Sequence, residues 1–176
     1  NSSKDYQDNI RFLFESLSSS PKIECILLFY TDPLSHKKSV TFYSFSGILY
    51  WLRARLIVVH HGTADIPFSH SLDYHRRRLV NLWHGIPLKN LGYRMKNQNI
   101  FYQESEFEKY DSMICSSTLD SLAMQSCFKK TERNMWLTGL PRNDLLLFSD
   151  DQISKDLEKG LKWLDDKISQ KVMVLY

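Results

Sequence analysis

Apolar positions along this chain follow two rhythms, helical stripes and short unbroken runs. Tyr6, Ile10, Leu13, Phe14 and Leu17 recur at the spacing of one helix face, and Ser18-Ser19-Ser20-Pro21 ends that helix. The apolar run at 23–30 predicts a buried strand, and a polar loop through His36-Lys37-Lys38 leads to an aromatic-rich helix over 42–52. A second buried strand follows at 55–59, a third around Leu79, Val80 and Leu82, a fourth at 113–115 and a fifth at 134–137. Helices are expected over 118–128, with Thr118 as its N-cap, and over 144–148. Ile153, Leu157, Leu161, Leu164 and Ile168 mark a last amphipathic helix, interrupted by Gly160. Apolar strands separated by helices predict the α/β class: a Rossmann-like, doubly wound, mainly parallel sheet covered on both faces.

The third strand ends in unusual company. In Leu82-Trp83-His84-Gly85-Ile86-Pro87-Leu88-Lys89-Asn90-Leu91-Gly92, Gly85 and Pro87 break regular structure and leave His84 at a strand's carboxyl edge. In an open α/β sheet that edge forms the ligand crevice. On these residues alone His84 is either a reactive group or a hydrogen-bonded histidine that shapes the turn. Thr138-Gly139-Leu140-Pro141-Arg142-Asn143-Asp144 follows the fifth strand and precedes a helix, so it reaches the same edge, where backbone N–H groups favour an anion. Arg142 suits phosphate because its planar fork makes paired hydrogen bonds, whereas Asn143 or Asp144 serves equally as a helix cap.

The two strings in this order resemble the paired signature of the CDP-glycerol glycerophosphotransferase family, the polymerases and primases of teichoic acid and capsule polymers. That family more often carries Thr where Ile86 stands here. The likeness extends more weakly from Asn9-Ile10-Arg11 to Val172-Met173-Val174-Leu175-Tyr176. It implies the amino-terminal, acceptor-side domain of a two-domain, GT-B-type transferase: residues 1–168 including a connector helix, then 169–176 as the first strand of a nucleotide-binding domain. The implied reaction transfers glycerol phosphate from CDP-glycerol to a hydroxyl of a growing polymer and releases CMP.

A histidine can accept the hydroxyl's proton because its pKa lies near working pH. The resemblance gives His84 that catalytic role, with Trp83, Gly85, Ile86, Pro87 and Arg142 as substrate-binding residues and Lys89 and Asn143 as further candidates. It implies no cofactor beyond the donor substrate and no metal. The expected partners are CDP-glycerol, a polyol-phosphate or lipid-linked glycan acceptor, and, peripherally, the cytoplasmic face of the cell membrane. Alternatives are a CDP-ribitol donor within the same family, or a non-catalytic module that binds a membrane surface or a partner. This chain alone is expected to be catalytically silent.

Composition agrees with a globular domain. Of 176 residues, 43% are hydrophobic and 24% charged, and a net charge of +3 permits contact with anionic substrate or membrane without demanding it. Cys25, Cys115 and Cys127 are too scattered for a Cys-x-x-Cys site or a disulfide framework, which points to a reducing compartment. No apolar run approaches the roughly 18 residues of a spanning helix, and residues 1–8 carry no signal-peptide pattern. No Gly-x-Gly-x-x-Gly or Gly-Lys-Ser/Thr loop supports a dinucleotide or P-loop site.

His60-His61 with His70 and His75 invites a zinc reading, but the spacing matches no helical ligand pair. Arg76-Arg77-Arg78 is one short basic cluster without a nucleic-acid motif, so no nucleic acid is expected. Phe42, Tyr43, Phe45, Tyr50 and Trp51 read as core rather than membrane anchor.

Overall fold

The computed structural model describes residues 6–30, 38–63, 66, 76–95, 100–147, 158–159, 161–163 and 166. The chain divides into two units, Asn1–Arg142 and Asn143–Tyr176. The expected boundary at 168 and the strand at 172–176 lie outside the described residues, as do Ile153, Leu157, Leu164 and Ile168 of the last helix. In the second unit, residues 161–163 are helical, as expected for Leu161, and Glu158 pairs with Lys162 one turn on, at 2.6 Å.

The first unit opens with α1, Asp8–Ser18. Asp8 takes a left-handed φ of 58°, tolerable for an Asp whose side chain bonds locally: Oδ1 accepts from the Asn9 N–H at 2.8 Å. The expected strand at 23–30 shrinks to β1, Leu27–Phe29, because Ile23 and Glu24 are exposed and only residues near Phe29 reach the core. It pairs in parallel with β2, Ser39–Thr41, a segment too short for a sequence signal.

The expected helix at 42–52 is α2, Phe45–Arg53. It starts later because Ser44 caps it, Oγ accepting from the Gly47 N–H at 3.0 Å, while Phe42 stays ahead of the helix and packs edge-on against Trp51. Gly47 is required here, since a Cβ would strike the Thr41 carbonyl oxygen.

Four further strands, β3 (Leu56–Val59), β4 (Arg78–Asn81), β5 (Ser112–Cys115) and β6 (Met135–Leu137), form one sheet in the order β3-β4-β5-β6, all parallel. Between β4 and β5 lies α3, Ile100–Phe107, which the sequence reading passes over because its polar half, Gln103 to Glu106, shows no apolar stripe. Between β5 and β6 lies α4, Thr118–Phe128. Its N-cap is Ser117, not Thr118: Ser117 has the extended backbone of a cap, and its Oγ accepts from the Asp120 N–H at 3.1 Å.

Side chains alternate across this sheet, and both faces are covered. Ile57, Val59, Leu79, Met113, Cys115 and Met135 pack with Trp51 of α2 and Met124, Cys127 and Phe128 of α4. Val58, Val80, Leu82 and Ile114 pack on the other face with Ile10 and Leu13 of α1 and with Leu140. Each fully buried Leu or Met, such as Leu79, Met113 or Met124, stabilises the fold by about 1.5–3 kcal/mol relative to exposure. The α/β, Rossmann-like arrangement with helices on both faces is therefore present. No helix among the described residues is long and apolar enough to cross a membrane.

Because every strand of the larger sheet runs the same way, their carboxyl ends share one edge. The segments leaving that edge are His60-His61 after β3, Leu82 to Gly85 after β4, Ser116-Ser117 after β5, and Thr138 to Arg142 after β6.

Candidate active site

The turn after β4 is built by side chains bonding to backbone. Asn81, fully buried, accepts the Trp83 N–H on its Oδ1 at 2.8 Å, and this pulls Trp83 into a left-handed φ of 49°. The Asn81 Nδ2 donates to the His61 carbonyl at 3.3 Å, tying the loops after β3 and β4 together. The Trp83 ring meets Phe128 edge-on at 5.0 Å and stacks on His84 at 4.4 Å, so Trp83 joins the core to the carboxyl edge of the sheet. His84 is thereby presented on the surface.

Three imidazoles meet there. The ring of His84 lies 5.3 Å from His61 and 6.1 Å from His60, and His60 and His61 stack at 4.4 Å. Asp8 Oδ2 is 3.5 Å from His60 Nε2. Partial burial, then the neighbouring His61, and more weakly Arg142 hold the His84 imidazole below its usual pKa, against an upward pull from Asp8. A neutral imidazole is a proton acceptor and a metal ligand.

The second signature comes directly to the first. Arg142 Nη2 donates to the His84 carbonyl at 3.0 Å, while Nη1 donates to both oxygens of Asp8 at 2.8 and 2.9 Å. Its backbone N–H donates to Asn9 Oδ1 at 3.2 Å, and Asn9 Nδ2 donates to the Trp83 carbonyl at 3.0 Å. Asn9, with 0% exposure, thus braces both signatures at once. Gly85, at φ 144°, faces the guanidinium: a Cβ there would lie 3.6 Å from Arg142 Nη2. Gly139 adopts φ 78° and donates its N–H to the Cys115 carbonyl at 3.1 Å, which turns the chain out of β6.

The structure brings Trp83, His84, Gly85 and Arg142 together. Ile86 is exposed and Pro87 half-buried just beyond them. Lys89 lies further out, on an open groove with Pro87, Leu88, Asn90, Arg94 and Ser126. Of the helix expected at 144–148, residues 144–147 belong instead to a seven-residue 3-10 turn, Pro141–Leu147, so Asn143 stands inside its first turn and not at a cap, and Phe148 lies outside the described residues. Sequence reasoning missed Asp8 and Asn9, whose one signal is a polar pair opening an otherwise amphipathic helix. It also grouped His60-His61 with His70 and His75, which lie outside the described residues, whereas the fold groups them with His84.

The curated teichoic acid glycerol-phosphate transferase of Staphylococcus aureus (strain NCTC 8325 / PS 47) is 24% identical, the match covering 81% of this chain and 39% of that protein. Structures of the wall teichoic acid polymerase TagF superpose with TM-scores of 0.66 for the unsubstituted protein and 0.69 for a histidine variant soaked with CDPG. Both are 22% identical and match 96% of this chain, which covers 42% and 43% of theirs. The chain thus spans about two fifths of the length of these relatives. The family model of CDP-glycerol:poly(glycerophosphate) glycerophosphotransferases matches residues 1–176, from α1 through both signatures, and the chain belongs to that family.

Proposed function

We propose that this chain supplies the acceptor-side wall of a glycerophosphotransferase that moves glycerol phosphate from CDP-glycerol to a hydroxyl of a growing teichoic acid or capsule polymer. The observation that carries this reading is the exposed His84 imidazole, held below its usual pKa and fixed through its own carbonyl to Arg142 of the second signature. The acceptor oxygen attacks the phosphorus nearest glycerol, the bond from that phosphorus to the bridging oxygen breaks, and CMP leaves with the electron pair. His84 takes the acceptor's proton as the new bond forms. No cofactor enters this reading, since CDP-glycerol is consumed as substrate.

A single wall cannot stabilise the transition state of a site shared by two domains, so a GT-B-like second domain completes the enzyme and the chain alone is inactive. A nucleotide-activated donor and a lipid-linked acceptor place the reaction at the cytoplasmic face of the membrane, and the net charge of +3 suits an anionic surface.

The test is turnover of radiolabelled CDP-glycerol by the full-length protein and its His84→Ala form. A general base acts in the transition state, so kcat falls by about two to four orders of magnitude while the donor KM changes far less. Wild-type turnover by His84→Ala would leave His84 as a turn residue only.

A further inference from the structure

We propose that His60, His61 and His84 form a binding site for a zinc-class divalent ion. The binding itself is independent of the transferase reading, and only its consequence for turnover rests on that reading.

The site exists because of strand register. β3 and β4 pair in parallel with Val59 opposite Asn81, so the residues just beyond each strand leave the sheet side by side. Asn81 then locks the two loops through the His61 carbonyl. One ligand atom from each of the three histidines lies within 4.8 Å of the others. Zinc–nitrogen bonds of about 2.0–2.1 Å need nitrogens roughly 3.4 Å apart in a tetrahedron. The difference closes by ring rotation at His61 and His84, both exposed. His60 is the more buried anchor.

Chemistry favours the same conclusion. Asp8, 3.5 Å from His60 Nε2, places a carboxylate behind a ligating histidine, an arrangement that orients the ring and raises its basicity. Three imidazoles without a first-sphere carboxylate select Zn2+, Co2+, Ni2+ or Cu2+ over Mg2+ and Ca2+. Three protein ligands leave a fourth tetrahedral position for water or an anion.

One lone pair of His84 cannot serve both an ion and a proton. Bound zinc therefore removes the proton acceptor proposed above, and the ion acts as an inhibitor rather than a cofactor.

The experiment uses untagged full-length protein. Co2+ is titrated and followed by its visible absorption, which is intense only in tetrahedral sites, and Zn2+ is titrated by calorimetry. One ion per chain is expected, with affinity lowered by at least about ten- to a hundredfold in His61→Gln and in His60→Ala, the exposed-site variant His61→Gln keeping the melting temperature of the metal-free wild type. Mg2+ at the same concentrations leaves the Co2+ spectrum unchanged. No tetrahedral Co2+ spectrum in the wild type, or an equal spectrum and affinity in the His60→Ala/His61→Gln double variant, overturns the site. Zinc inhibition reversed by a chelator supports both the site and the base. Binding without inhibition supports the site and overturns the base role of His84, so the two readings fail separately.

Discussion

Arg142 Nη1 reaches both carboxylate oxygens of Asp8, at 2.8 and 2.9 Å, so the side chain of the second signature best suited to phosphate is held by the first residue of α1. Its Nη2 holds the His84 carbonyl. The guanidinium is both a brace and a positive charge that helps lower the His84 pKa, and these roles separate by measurement.

If Arg142 also contacts a donor phosphate, full-length Arg142→Ala binds CDP-glycerol more weakly by calorimetry and turns over more slowly, and Arg142→Lys recovers only part because it loses the fork. The ion pair is partly exposed, with about a third of the Arg142 side chain open to water, so its loss costs no more than about 1 kcal/mol of stability. Donor affinity equal to wild type would make Arg142 a brace alone.

Asn9 is expected to matter more for stability than the charged pair beside it. Asn9→Ala leaves the Trp83 carbonyl and the Arg142 N–H without their partner, at about 1–3 kcal/mol for each buried group left unsatisfied. Asn9→Asp is worse, because it turns an acceptor oxygen toward the Trp83 carbonyl. Urea denaturation checks this, and a loss below about 0.5 kcal/mol for Asn9→Ala would show that water replaces the bridge.

Glu106 predicts an acid-sensitive anchor for the loop after β3. Its carboxylate accepts from the Thr63 N–H at 2.8 Å, from the Thr63 hydroxyl, and from the Tyr110 hydroxyl at 3.2 Å, with Lys109 Nζ at 3.3 Å. Burial, the largest influence, pushes its pKa up, but the bonds from Thr63 and the charge of Lys109 more than offset it and leave the pKa below the ordinary value. A depressed folded-state pKa contributes stability that is present above the unfolded value, about 4.3, and lost as pH falls through the folded value. Glu106→Gln is therefore destabilised near neutral pH, and its deficit against wild type shrinks below about pH 4. A deficit independent of pH would show that packing, not charge, holds this loop.

Two glycines with positive φ should respond differently to alanine. At Gly92, φ 53°, a Cβ would collide with the Cys127 carbonyl oxygen in α4, whereas at Gly139, φ 78°, nothing lies within 4 Å of it. Gly139→Ala then costs about 1–2 kcal/mol of backbone strain, and Gly92→Ala that strain plus displacement of α4. Thermal melting distinguishes them, and equal losses would show that α4 moves freely.

The sequence by itself determined what is local. Apolar runs marked β3 and β5, helical spacing marked α1, a capping hydroxyl marked the start of α4, and Gly85 with Pro87 marked the break that exposes His84, because each signal acts within a few residues. Short elements such as β2 escaped it, and the cap of α4 moved by one residue because Ser117 and Thr118 offer the same hydroxyl chemistry and only backbone conformation chooses. The tertiary structure alone decided which distant residues meet: Asn9 with Trp83, Asp8 with Arg142, and His60 and His61 with His84. These pairings depend on the parallel register that gathers the strand ends at one edge and on α1 docking across the opposite face, and no spacing along the chain encodes either.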